Sequence, residues 1–306
     1  MGKHTLGETI RVLRKRAGLT QEQLSDGICS PVTVSRIENG VQMPSGSLLD
    51  AILSRLGTSV YKICDIYYQS EQQLSFEATA DQAAELLRLG KLEEAERILS
   101  ELEKSAYSHP LNMQYFLLLK ATLLISQAKP PQEASELLKN ALAITKPDLD
   151  YRDFRGVLLS VREANILSLM VVSMFRLHDS LSAIALGEEL SFCLKKHQST
   201  LKAYYMIRIN VAINLAQCLE QERRYLEAYA WCTEAESLSL KTLEHALLPE
   251  IQFMKAKALH RLGKDAECRS ILSIIVPYME LIQKREFSEL VRAYASKELH
   301  FEIQTT

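Results

Sequence analysis

Three asparagines, Asn165, Asn210 and Asn214, carry the side chains whose chemistry and spacing first suggest a binding site. A carboxamide donates and accepts hydrogen bonds, so a row of carboxamides can pair with the N–H and C=O groups of an extended peptide. Asn210 and Asn214 are four residues apart and share one stripe of a helix. We therefore predict that the three line one wall of a groove, although a lone helical asparagine is more often solvated or locally packed. Further candidates for the same wall are Arg162, Tyr204, Gln217, Gln252 and Lys255.

Residue types that carry catalysis or bind metals are present without the patterns that those functions require. The seven histidines and six cysteines form no HExxH motif and no His–Cys pair at metal-ligand spacing. Gly90-Lys91 and Gly263-Lys264 lack the preceding glycine of a phosphate-binding loop, and no GxSxG nucleophile elbow occurs. We expect a protein that is not an enzyme and has no metal or other cofactor.

Composition indicates a largely helical chain. Apolar residues make up 47 % of the 306 residues, whereas Gly (11) and Pro (8) are scarce. The net charge of −2 excludes a generally basic, histone-like protein, although residues 1–67 carry eight cations against six carboxylates. Unpaired cysteines predict reduced thiols, and the longest apolar stretch, Asn165–Phe175, is too short to span a membrane. Since basic residues break up the N-terminus, we expect no signal peptide, no membrane partner and a cytoplasmic location.

A small residue recurs in the second part of the chain within a repeated helix–turn–helix pattern. The small residues at positions 95, 134, 183, 228 and 268 are 39, 49, 45 and 40 residues apart. The pattern resembles the tetratricopeptide repeat, with a period longer than the usual ~34 residues. That resemblance implies a right-handed superhelical array of about five degenerate helix pairs over residues 81–306, capped by Pro277–Leu299. An irregular helical bundle is the alternative.

Five short helices are predicted in the first 68 residues, where helix-capping signals follow one another closely. The first helix stops at Gly18, a suitable residue for a left-handed cap, and Thr20 with Gln23 forms a capping box. Ser30 before Pro31 caps the third helix. A fourth helix follows Ser45, and residues 59–68 supply the fifth. The second and third helices are separated by about four residues, the geometry of a helix-turn-helix.

These residues also resemble the phage-repressor and Cro type of domain, the XRE family. The resemblance covers residues 5–66 and is carried by Gly18–Leu24, Val34–Gly40 and Pro44-Ser45. It implies an all-α, λ-repressor-like DNA-binding domain over residues 1–68. Residues 69–80 are polar, and we expect them to form a linker helix. The alternative is a packing or dimerisation module that has lost DNA binding.

The resemblance assigns a role to each exposed position of such a domain. The third helix would enter the major groove and present Ser30, Val32, Thr33 and Arg36 to base edges. Gln21, at the start of the second helix, would hold a phosphate. Arg14 and Glu38 are expected to pair inside the fold. Pro31 stands where many relatives have a polar base-contacting residue, which shifts the expected readout to Thr33 and Arg36.

Over its whole length the chain resembles the RNPP family of Gram-positive bacteria (Rgg, Rap, NprR, PlcR and PrgX). The order of domains, the total length, the Ile28–Gly40 run and the asparagines carry this resemblance. It implies a homodimeric transcriptional regulator in quorum sensing, which binds a palindromic double-stranded DNA operator and senses a short linear peptide in the repeat domain. Two alternatives remain: a protein-interaction adaptor, and a helix-turn-helix regulator that senses a small molecule or nothing.

Overall fold

The computed structural model describes residues 6–56, 71–196, 202–243 and 245–303. Within these ranges the regular secondary structure is helical, without β-strands. The chain divides into two compact units, residues 1–77 and 78–306. The fifth helix predicted over residues 59–68 lies outside the described residues.

The first unit contains four short helices: α1 (Leu6–Arg16), α2 (Gln21–Ser25), α3 (Pro31–Glu38) and α4 (Gly46–Arg55). Thr20 Oγ1 accepts a hydrogen bond from the amide of Gln23 at 3.1 Å, and Gln23 Oε1 accepts one from the amide of Thr20 at 2.8 Å. The Ser30 and Ser45 hydroxyls cap α3 and α4. Gly18, with φ of +69°, follows the end of α1. The predicted capping sites are therefore confirmed.

The core of this unit is small and aliphatic, and it depends on one close contact between α1 and α3. Fully buried side chains come from all four helices: Ile10, Leu24, Val34, Ile37, Ile52 and Leu53. A methyl group added at Gly7 would overlap the carbonyl oxygen of Ile37. The lack of a side chain at Gly7 thus lets α1 lie directly against the end of α3.

The second unit is an array of helices in which, from Leu92–Ala106 to Arg285–Leu299, each helix packs on the next one along the chain. The helix that begins at Glu71 runs unbroken to Arg88, so residues 71–80 of the expected linker helix form the first part of a longer helix, and the boundary between the two units falls within it. The helices are α5 (Glu71–Arg88), α6 (Leu92–Ala106), α7 (Pro110–Ser126), α8 (Pro131–Ala143), α9 (Val161–Arg176), α10 (Ser180–Lys196), α11 (Lys202–Gln221), α12 (Tyr225–Thr242), α13 (Leu248–Arg261), α14 (Asp265–Leu281) and α15 (Arg285–Leu299).

The small residues singled out from the sequence all lie on the second helix of a pair and are all buried. They are Ala95, Ala134, Ala183, Ala228 and Cys268. A short side chain at this position lets the paired helices approach closely, so its recurrence marks the repeat. The five predicted helix pairs are confirmed.

The turn inside each of the five pairs, and the turn between the last pair and α15, have the same backbone geometry. A residue in the left-handed conformation ends the first helix, and the amide of the next residue bonds to a carbonyl five positions earlier at 2.9–3.0 Å. This Schellman arrangement satisfies carbonyls that the helix end leaves free. It occurs six times, at Gly90, Ala128, His178, Arg223, Gly263 and Gln283.

The sixth of these turns corrects the predicted C-terminal cap. Pro277 does not begin a capping segment, since it lies inside α14, and the cap is α15 alone. Proline cannot donate the helical bond to residue 273, but Ser273 is exposed and water can satisfy its carbonyl. Ser288 is buried five residues after Gln283, in the position of the earlier small residues.

Candidate functional site

The α3 helix presents one face to the core and the opposite face to solvent. Val34 and Ile37 are buried, whereas Val32 is 60 % exposed and Arg36 is exposed. The Arg36 guanidinium makes no ion pair or hydrogen bond with any other described residue. A cationic and an apolar side chain therefore project together from a short, well-capped helix.

Two of the predicted groove residues take part in the helix cap. Ser30 Oγ accepts a hydrogen bond from the amide of Thr33 at 3.1 Å and lies 2.8 Å from Thr33 Oγ1. Sequence reasoning missed Val41 and Met43, which follow α3 and are 76 % and 81 % exposed. Two large apolar residues in an otherwise polar connection were the available signal.

A buried carboxylate holds the C-terminal end of α3 in place. The Glu38 side chain is 0 % exposed and accepts hydrogen bonds from Arg14 Nε at 2.6 Å and Arg14 Nη2 at 2.9 Å. Arg11 Nε lies 3.5 Å from the same group. The predicted pairing of Arg14 with Glu38 is confirmed.

The environment of Glu38 favours its charged form. Burial alone would raise the pKa of Glu38, but hydrogen bonds from Arg14, Gln21 and Arg11 outweigh this and hold the pKa below its usual value. The carboxylate thus stays ionised at neutral pH and links α1, α2 and α3.

Gln21 takes part in this buried cluster. Its Nε2 donates one of its two N–H groups to Glu38 Oε2 at 2.8 Å, because the buried charge needs several donors and the short α2 brings this amide beside it. The bond to Glu38 uses only one of these N–H groups, so the phosphate contact of Gln21 stays a prediction.

In the second unit, the predicted asparagines lie on the first helices of two consecutive pairs. Asn165 is half-buried on α9, and on α11 Asn214 is half-buried while Asn210 is exposed. The two helices pack side by side. The three carboxamides make no hydrogen bond with other described residues, so their donors and acceptors are open to a bound molecule.

The further candidates for this wall separate into two groups. Arg162, on the stripe of Asn165, stacks over the Tyr115 ring at 4.2 Å, and the Tyr204 hydroxyl donates to the carbonyl of Leu159 at 2.8 Å. Gln217 is exposed on the stripe of Asn214. These contacts join consecutive helix pairs next to the asparagines.

Gln252 and Lys255 do not belong with them. Gln252 Nε2 and Lys255 Nζ bond to the two carboxylate oxygens of Glu236 on α12, at 2.5 and 2.6 Å. Lys257 faces α11, since its Nζ bonds to Glu220 on that helix. Successive residues of a helix are rotated by 100° about its axis, so the Lys255 side chain points about 200° away from that of Lys257. The two are therefore held against a second helix and turned away from the first helices that carry the asparagines.

The structure also shows a polar cleft of about 760 Å³ where α9, α11 and α13 end. Only Gln217 among its lining residues was predicted from the sequence. A signal for the cleft was present in the sequence, because side-chain amides recur at helical spacing along α11. These amides belong to Asn210, Asn214, Gln217 and Gln221, and the last two line the cleft. The lining residues are Phe175, Gln217, Glu220, Gln221, Arg223, Tyr225, Lys257 and Arg261.

Two geometric findings hold for the part of the chain that the structure describes. None of its helices combines the length and apolar character needed to cross a bilayer. No three His, Cys, Asp or Glu side chains in these ranges are grouped so that they could hold a metal ion.

Comparison with known proteins identifies the first unit and the overall fold. Residues 10–63 match the family described as helix-turn-helix, HTH_3, which confirms the predicted domain. No curated protein matches the sequence.

Solved structures match nearly the whole chain. Bacillus thuringiensis PlcR in complex with the peptide PapR7 and DNA has a TM-score of 0.67 at 20 % identity, covering 94 % of this chain and 99 % of that one. The apo form of the competence regulator ComR from Streptococcus vestibularis scores 0.57 at 14 % identity, covering 97 % and 98 %. The Streptococcus dysgalactiae SHP pheromone receptor Rgg2 scores 0.55 at 15 % identity, covering 96 % and 99 %. The chain shares the fold of these proteins from its helix-turn-helix to its last repeat helix.

Proposed function

We propose that the protein is a transcriptional regulator that binds specific DNA through α3 and is controlled by a short linear peptide bound in the repeat unit. The observation that carries the proposal is the solvent-facing Val32 and Arg36 pair on a capped third helix, in a fold shared with a structure that holds both a peptide and DNA. We propose that it acts in the cytoplasm, where the DNA that it binds is accessible. We also propose that it is a regulator and not an enzyme.

In the DNA-bound state, α3 lies in the major groove. Val32 contacts a thymine methyl group, and Arg36 forms two hydrogen bonds to a guanine. Ser30 and Thr33 stand at the helix start, where their mutual hydrogen bond sets the first turn and leaves an acceptor for a base or phosphate. Two protomers would read a palindromic operator with half-sites ~34 Å apart or at a multiple of that distance.

In the repeat unit, Asn165 and Asn214 hold the peptide backbone, with Asn210, Arg162, Tyr204 and Gln217 beside them. Each free carboxamide supplies one donor and one acceptor, which suits an extended chain with alternating N–H and C=O groups. Peptide binding then shifts the population between two dimer arrangements, by as much as the peptide's affinity differs between them.

The DNA half is tested by selecting duplexes from a random pool with the full-length protein and measuring binding by gel shift at fixed salt. Arg36→Ala should weaken binding to the selected duplex by ~1–3 kcal/mol, about ten- to a hundredfold, because the guanine loses a bidentate partner. Arg97→Ala removes another exposed arginine, which lies in the repeat unit, and should leave binding unchanged. If no sequence is enriched with or without peptide, the protein-interaction adaptor becomes the better explanation.

The peptide half is tested by thermal unfolding in the presence of a synthetic heptapeptide library. Peptides at a hundredfold excess over Kd should stabilise the protein by ~2.7 kcal/mol. Asn165→Ala with Asn214→Ala should abolish this stabilisation, while Asn140→Ala, an exposed asparagine on α8, should not. Stabilisation that survives the double substitution would remove the asparagines from the site.

A further inference from the structure

We infer that the cleft at the ends of α9, α11 and α13 binds the C-terminal carboxylate of the peptide and so fixes the direction in which the peptide lies. This inference rests on the proposed function and adds the chemistry of one end of the ligand. The cleft has a volume of about 760 Å³ and is open to solvent along the first helices of three consecutive pairs. A peptide terminus with its carboxylate fits in this space.

The charge in the cleft favours an anion. Three cations line it, Arg223, Lys257 and Arg261, against the single carboxylate of Glu220. Lys257 Nζ lies 2.6 Å from Glu220 Oε2, so this pair neutralises itself.

The two arginines carry the charge that remains. The Arg223 guanidinium makes no ion pair or hydrogen bond with another described residue. Arg261 reaches Glu298 only at 3.7 Å, and both side chains of that pair are partly exposed. Two guanidinium groups are therefore available, and a guanidinium fork matches a carboxylate with two parallel hydrogen bonds.

The amide row of α11 leads into this cleft. Asn210, Asn214, Gln217 and Gln221 follow one another at four, three and four residues, so they lie on one face of the helix. None of the four side chains makes a hydrogen bond with other described residues. From first to last they span ~16 Å at 1.5 Å per helical residue, the length of about five residues of extended peptide at ~3.3 Å each.

The polarity of the peptide follows from these two features. A peptide that pairs with the amide row has one end among Arg223 and Arg261, where a carboxylate is stabilised and an ammonium group is repelled. The peptide accordingly runs parallel to α11, with its C-terminus at the C-terminal end of that helix. An acidic side chain offers the same chemistry, and the two sources of carboxylate are separated by the test.

The test uses two synthetic heptapeptide libraries of identical sequence composition, one with a free C-terminal carboxylate and one with a C-terminal carboxamide. Peptides that stay with the purified full-length protein through size exclusion are identified by mass spectrometry. Each recovered peptide is then made in both forms, and its affinity is measured by calorimetry. We expect recovery from the carboxylate library, and about tenfold or greater weakening on amidation.

Two variants locate the effect. The double substitution Arg223→Gln and Arg261→Gln should lower the affinity for the carboxylate form of the peptide about tenfold or more. The double variant should then bind the carboxylate and carboxamide forms with equal affinity. Lys139→Gln with Arg285→Gln removes the same charge from exposed positions outside the cleft and should keep the discrimination. The comparison of the two peptide forms on the unsubstituted protein needs no variant, so it stands even if the double variant fails to fold.

The outcomes distinguish this inference from the proposed function. Equal affinity for the two forms of a recovered peptide overturns the carboxylate site and leaves peptide sensing in place. Recovery of amidated peptides that contain Asp or Glu, with sensitivity to the arginine substitutions, overturns the assigned direction, because a side chain then fills the cleft. If neither library yields a peptide, the proposed peptide sensing fails, and the carboxylate site fails with it.

Discussion

Replacing Glu38 with glutamine should unfold the helix-turn-helix unit locally under conditions in which the original protein is stable. The carboxylate accepts two hydrogen bonds from Arg14 and one from Gln21, all inside the fold. Glu38→Gln keeps one acceptor oxygen and loses the charge, which leaves a guanidinium that is only 11 % exposed without its counterion.

Breaking one side of a buried ion pair costs ~3–5 kcal/mol. We expect ~3 kcal/mol, the lower end, because Arg14 keeps its hydrogen bond to the carbonyl of Leu19. Hydrogen exchange followed by mass spectrometry measures this change on the full-length protein. Amides of α3 should exchange about a hundredfold faster in the variant, at ~1.4 kcal/mol per tenfold. Asp50→Asn, at an exposed position of α4, is the matched control and should change exchange by less than ~0.5 kcal/mol.

The difference should also depend on pH, with a sign set by the lowered pKa of Glu38. A carboxyl whose pKa is lower in the folded state contributes stability that is fully present above its unfolded pKa of ~4.3. That contribution is lost as the pH falls from about this value through the folded pKa. Protection in the two proteins should therefore converge on acidification below about pH 4.3. Equal exchange at pH 7, or a gap that widens in acid, would refute the role given to this carboxylate.

Three other predictions concern packing, turns and thiols. Gly7→Ala should destabilise the first unit by ~1–3 kcal/mol, because its methyl group overlaps a backbone carbonyl of α3; unchanged exchange in α1 and α3 would contradict this. Ala128→Gly should leave the melting temperature unchanged or raise it by a few degrees. The left-handed conformation costs a residue with a Cβ ~1–2 kcal/mol, and the greater entropy of glycine in the unfolded chain offsets part of the gain from removing that cost. A clear fall in the melting temperature would be contrary evidence. Burial raises the pKa of Cys218 and of Cys232 to about 12. Iodoacetamide at pH 8 should therefore label half-buried Cys29 well before either of them, as measured by mass spectrometry. Early labelling of Cys218 and Cys232 would show that the core is open.

Much of the fold follows from short-range signals in the sequence. The caps at Thr20, Ser30 and Ser45 act on amides two or three residues away, so local sequence is enough to place helix starts. The small residues of the repeat mark each pair in the same way, because a close approach of two adjacent helices needs a short side chain at one position. The pairing of Arg14 with Glu38 came from a family resemblance, and the structure bears it out.

The residues of the candidate binding site were less predictable. Helical spacing placed Asn210 and Asn214 on one stripe of α11, and the structure adds Gln217 to it. The spacing gave no means of telling that Gln252 and Lys255 are turned toward α12, because a helix with apolar residues on several sides can be rotated either way.

By itself the sequence determined that the chain is helical, where the capped helices of the first unit begin, that the later helices pair, and which residues share a stripe. Each of these depends on neighbours within about one or two helical turns. Tertiary structure alone decided which stripe faces which neighbour. In the folded protein the Gln21 amide bonds to the buried carboxylate of Glu38, and side chains between Phe175 and Arg261 in the sequence lie around one cleft. Those contacts join positions far apart in the chain, and their geometry depends on the rotation and spacing of whole helices, which no local pattern encodes.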